Sequence, residues 1–90
     1  MKGRNRALAP PFELDSAGYD AWLDLQQELG GLRGRGFSTH QIWQICLMAE
    51  HTALYRRGKI EPKYLEALNA YREQYGLDPL PELRRHRRAA

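Results

Sequence analysis

Apolar residues recur along this chain at steps of three and four, with polar residues filling the gaps. That spacing is the period of an α-helix with one buried face. It occurs in three stretches. In the first, Tyr19, Trp22, Leu25 and Leu29 follow one another at helical steps, with Leu23 beside them. Asp24, Gln26, Gln27 and Glu28 occupy much of the rest. Asp15 or Ser16 can cap the start, and Gly30-Gly31 ends the stretch.

The second stretch has the strongest local signal. Ser38 and Gln41 have the spacing of a capping box, and Phe37 before the cap can staple onto Ile42. Ile42, Ile45, Cys46, Ala49 and Ala53 mark one face, while Trp43, Leu47, Met48 and Leu54 make the helix apolar almost all round. A helix of that kind belongs at the centre of a fold, covered on several sides. Arg56 and Arg57 suit its negative end, and Gly58 suits the position after its last turn.

The third stretch opens with Pro62 at a first helical position. Tyr64, Leu65, Leu68, Tyr71 and Tyr75 form its stripe, with the three tyrosines read as core-lining residues with wet hydroxyls, and Gly76 closes it. Asp78-Pro79 can cap a short fourth helix holding Leu80 and Leu83, which Pro81 would limit. No segment alternates with period two. The pattern predicts an all-α fold, a compact three-helix domain over residues 12–83. Basic tails flank it at 1–11 and 84–90. The short connection between the second and third helices favours antiparallel neighbours.

Charge changes this picture in one respect. The chain has a net charge of +3, yet all its Asp and Glu residues lie between positions 11 and 82. Lys2, Arg4 and Arg6 precede that body; Arg84, Arg85, Arg87 and Arg88 follow it. The body itself is net negative. Basic tails on an acidic body support weak, salt-dependent, sequence-independent attraction to nucleic acid and little more. Ninety residues make one domain, which buries roughly 60% of its unfolded surface and gains from a partner or a second copy. A hydrophobic content of 42% is too high for a disordered chain. Cys46 is the only cysteine, so no internal disulfide forms, which suits a reducing cytoplasm. No apolar run approaches the roughly 20 residues of a membrane span, and no apolar core follows the basic start as in a secretory signal. The expected compartment is the cytoplasm, with no membrane partner.

The candidate chemistry is sparse. The loop Gly30–Gly36, with Arg33 and Arg35, has amides and cations that could hold an anion, but it lacks the Gly-Lys-Ser/Thr ending of a phosphate loop and reads as an interhelical connection. The segment Leu32–Ile42 resembles the turn and second helix of a helix-turn-helix. That resemblance implies Thr39, His40, Gln41 and Gln44 facing base edges, with Arg33, Arg35, Arg84, Arg85, Arg87 and Arg88 on phosphates. Glycines at 30, 31 and 34 depart from the motif, each costing roughly 1 kcal/mol in a helix. His40, Cys46 and His51 do not share a helical face, so no metal or other cofactor is expected. No nucleophile–base pair stands out, and the chain reads as no enzyme.

Trp43 either fills the core of a wrapped fold or anchors a partner. The leading expectation is a non-enzymatic interaction module, an adaptor, inhibitor or regulator. It would dock on a larger protein or a second copy through Trp43, Leu47, Met48 and Tyr55. The alternative is a small dimeric DNA-binding regulator of helix-turn-helix type.

Overall fold

A computed structural model describes residues 8–32 and 35–82. Among them lie three helices, α1 (Ser16–Glu28), α2 (Thr39–Arg56) and α3 (Pro62–Gln74), and no strand. The protein is an all-α three-helix domain.

Each helix starts and stops for local chemical reasons. The Asp15 carboxylate accepts from the Gly18 amide at 2.8 Å and caps α1. At α2 the capping box is complete: the Gln41 amide donates to Ser38 Oγ at 3.1 Å, and the Ser38 amide donates to Gln41 Oε1 at 2.9 Å. Pro62 opens α3, where the amide it lacks would have had no helical partner. All three helices end in the same motif. At α2 the Gly58 amide donates to the Tyr55 carbonyl and the Lys59 amide to that of Leu54, both at 2.9 Å. Gly58 sits at φ 72°, a conformation that disfavours any residue with a Cβ. Gly30 and Gly76 take the equivalent place after α1 and α3.

The central helix is α2, which packs against both others. Its buried arc is wide because two neighbours cover it from two sides: Ile45, Cys46, Met48, Ala49, Thr52 and Ala53 are all buried. Opposite them lie Ala21, Trp22 and Leu25 of α1 and Leu65 and Leu68 of α3. Thr52 settles its buried hydroxyl by donating to the Met48 carbonyl at 2.8 Å. Helices α2 and α3 run antiparallel. His51 stacks on Tyr64 near the start of α3, whereas Gln44, earlier in α2, meets Tyr75 just beyond its end. The C-terminal end of α2 reaches α1 through Arg56–Asp24 at 2.7 Å and Arg57–Asp15 at 3.4 Å. Those pairs are half exposed and contribute at most about 1 kcal/mol each.

Several expectations need correction. The packed body reaches back beyond residue 12. The Leu8 carbonyl accepts from Trp22 Nε1 at 2.8 Å and from Gln26 Nε2 at 3.3 Å, while the Leu8 amide donates to Gln26 Oε1 at 2.8 Å. Gln26 is buried and Trp22 fully so, and this strap satisfies both polar groups. Residues 77–82 form no fourth helix. Leu80 instead exchanges two hydrogen bonds with the Asn69 side chain, at 2.8 and 3.0 Å, which fixes an extended path. Leu83 lies outside the described residues. The stripe of α3 centres on Leu65, Leu68 and the buried Arg72, and Tyr64 and Tyr71 face outward. Arg72 is held by the Asp78 carbonyl at 2.6 Å and by Glu28 at 3.3 Å, so its charge is both paired and hydrogen-bonded. Phe37 lies 6.0 Å from the Tyr75 ring, so it faces α3 as well as the start of α2.

Candidate docking face on the central helix

Successive residues of an α-helix point about 100° apart. On α2 this leaves one arc free of both neighbours. Trp43, Leu47 and Leu54 fall within about 40° of one another around the axis, with Glu50 beside them. Trp43 and Leu47 are each 45% exposed and Leu54 is 36% exposed. Three large apolar side chains therefore line the outward side of a helix whose other sides are packed. Phe12 extends the patch: its ring centroid lies 4.8 Å from that of Trp43. The strap that Trp22 and Gln26 hold in place thus delivers an aromatic ring to the edge of the stripe.

Of the four residues expected at a docking contact, Trp43 and Leu47 share this arc. Met48 does not. It is 1% exposed and belongs to the core, about 140° round the axis from Trp43 and close to the side of α2 where Gln44 and His51 meet α3. Tyr55 is half-buried on that same side and donates from its hydroxyl to the Pro81 carbonyl at 2.8 Å. Leu54 was missed as a contact residue, although its spacing from Trp43 and Leu47 places it on their face.

The residues named for base reading are not presented together. Thr39 and His40 are exposed. Gln41 is engaged in the capping box, and Gln44 Oε1 accepts from the Tyr75 hydroxyl at 2.5 Å. Burial pushes the Tyr75 phenol above its ordinary pKa, with the Tyr71 charge adding to the effect, so it remains a donor. Positions 29–38 separate α1 from α2, a far longer connection than the roughly 3–4 residues of a helix-turn-helix. Arg35 donates to the Leu29 carbonyl at the end of α1 and lies 5.7 Å from the Phe37 ring, so it serves the loop's own structure. Arg33, Arg84, Arg85, Arg87 and Arg88 lie outside the described residues, as do the cations of the N-terminal tail.

Cys46 is fully buried, and desolvation pushes its thiol up to about 11, against a lowering contribution from the Phe12 backbone. A thiol of that kind is neutral at pH 7 and a poor nucleophile or ligand. His40 is exposed and does not converge with it; no group of three metal-ligating side chains occurs among the described residues. No helix among those residues is long and apolar enough to cross a membrane.

No family model, curated protein or solved structure matches this chain. The reading of function therefore rests on the chain's own residues.

Proposed function

We propose that this chain is a non-enzymatic interaction module that docks on an apolar segment of a larger protein through the outward face of α2. The observation that carries the reading is the alignment of Trp43, Leu47 and Leu54 on the one arc of α2 that neither neighbour covers. Tryptophan anchors with aliphatic neighbours are typical of interface hot spots. The free, buried Cys46 suits work in a reducing compartment such as the cytoplasm. Three residues at this exposure leave a patch well short of the roughly 800 Å² per partner of a standard stable interface. The partner must therefore reach beyond the stripe, over Phe12 and the strap.

A photo-crosslinking amino acid placed at Leu47 in the source cell tests this. The expected result is one discrete crosslinked protein, lost when Trp43→Asp is added to the same chain. Crosslinks that persist unchanged with Trp43→Asp would overturn the reading. So would a crosslink only to a second copy accompanied by a dimeric mass in solution.

A further inference from the structure

We infer that the partner of the α2 face is an amphipathic α-helix with a Lys or Arg inside its apolar stripe, lying along the outer side of the α2–α3 pair. This rests on the docking reading proposed above and adds the chemistry of the partner. On α2 the uncovered positions Trp43, Leu47, Glu50 and Leu54 follow at steps of four, three and four, and all are exposed. That is the spacing of a heptad seam. Helix α3 carries a second exposed row, Tyr64, Ala67, Tyr71 and Gln74, at steps of three, four and three.

The two rows border one another. His51 lies about 40° round α2 from Leu47, on the side that faces α3. Its ring stacks on that of Tyr64, with centroids 5.6 Å apart. His51 therefore joins the α2 row to the α3 row, and Tyr71 continues the surface two turns further along α3. Of the large apolar side chains exposed among the described residues, Tyr19 alone is on neither row. Tyr64 and Tyr71 extend the apolar surface toward the roughly 800 Å² per partner that the α2 stripe does not reach by itself. A helix presents its own seam residues about every 5 Å, in step with these rows. An extended chain presents one face about every 6.6 Å and falls out of step within a few side chains.

Charge supplies the remaining feature. Glu50 interrupts the α2 row between Leu47 and Leu54, and no Lys or Arg stands three or four positions from it on α2. The ion pairs among the described residues join Arg56, Arg57 and Arg72 to other carboxylates. Lys63, the cation beside the α3 row, lies 5.2 Å over the Tyr64 ring. An apolar partner residue over Glu50 would bury its carboxylate unpaired, whereas a cation pairs with it and fixes the register of the added helix.

Site-specific photo-crosslinking of the full chain in the source cell tests this. A crosslinker at Tyr71 should capture the same protein as one at Leu47. The partner residues reached from Trp43, Leu47 and Leu54 should fall on one segment at helical steps when mapped by mass spectrometry. Glu50→Lys should keep the parent melting temperature and cut the crosslink yield about tenfold. Glu73→Lys, the same charge change on the far side of α3 from Tyr64, should leave the yield unchanged. Changing the partner's mapped cation to Glu should restore the yield with Glu50→Lys. A Leu47 crosslink without a Tyr71 crosslink would overturn the helix across both rows and leave the docking reading standing. Partner residues without helical spacing would do the same. Equal yields for Glu50→Lys and Glu73→Lys would overturn the cation. No crosslink from either position, or capture of a second copy alone, would overturn both readings.

Discussion

The two sides of α2 are built from similar residues and differ in what covers them. On the inner side, Ile45, Cys46, Met48 and Ala49 meet Trp22, Leu25 and Leu68, and almost no surface remains. On the outer side, Trp43, Leu47 and Leu54 are as apolar and stand half in solvent. A helix apolar all round cannot show by composition which side faces in. That is decided by the neighbours, and here α1, α3 and the Leu8–Phe12 strap leave one arc uncovered. The two tryptophans make the same point. Trp22 is 0% exposed and its indole N–H has a fixed acceptor in Leu8, whereas Trp43 is 45% exposed and packs beside Phe12.

The comparison breaks most readily from the inside. Trp22→Ala removes a fully buried ring and leaves the Leu8 carbonyl with its weaker partner alone. It should destabilise by about 3–5 kcal/mol, and Ile45→Ala by about 2–5 kcal/mol, in chemical-denaturation measurements. Melting temperatures unchanged by these substitutions would mean that the inner side is not the core.

Titration of Cys46 reaches the same interior without mutation. Its thiol pKa is raised by burial, so the folded state holds its proton more tightly than the unfolded state. The associated stability is fully present below about pH 9 and falls as pH rises toward about 11. The loss should approach about 2–3 kcal/mol, and Cys46→Ala should flatten that part of the stability profile. An unaltered alkaline slope in the variant would place the thiol in contact with water.

The fold was largely legible because its signals are local. Ser38 with Gln41, Pro62, and the glycines at 30, 58 and 76 mark helix limits within a few residues of their own positions. The Leu8 strap was not legible, since its hydrogen bonds join residues fourteen and eighteen positions apart and leave no period in the chain. Arg72 was hidden for a similar reason: a charge within a helical stripe reads as surface until Asp78 and Glu28 are seen to meet it. Of the candidate face, Trp43 and Leu47 could be named from sequence. Met48 was drawn into that set because the second covering helix widens the buried arc.

Arg72 offers a smaller test of how the inner side is closed. Arg72→Ala removes the bond to the Asp78 carbonyl and leaves the rest of the 77–82 segment to Asn69 and Tyr55. A destabilisation of about 1–3 kcal/mol is expected, with faster amide exchange in that segment. Exchange that stays slow there would show that Asn69 and Tyr55 hold it without the guanidinium.

The smallest effect on stability, and the most telling for function, comes from adjacent positions. Leu47 is 45% exposed and Met48 is 1% exposed, although they are consecutive and both apolar. Leu47→Asp places a charge on the uncovered arc, where water still solvates it. Its stability should stay within about 0.5 kcal/mol of the parent. Met48→Asp places the same charge inside the buried core, where nothing offsets its desolvation, and the domain should fail to fold. The pair of melts separates the two sides of α2 at a resolution of one residue. A partner crosslinked at Trp43 should be lost in Leu47→Asp while the fold persists, because the two side chains share one arc. Retention of that partner with a folded Leu47→Asp domain would move the contact off α2 and onto the strap around Phe12.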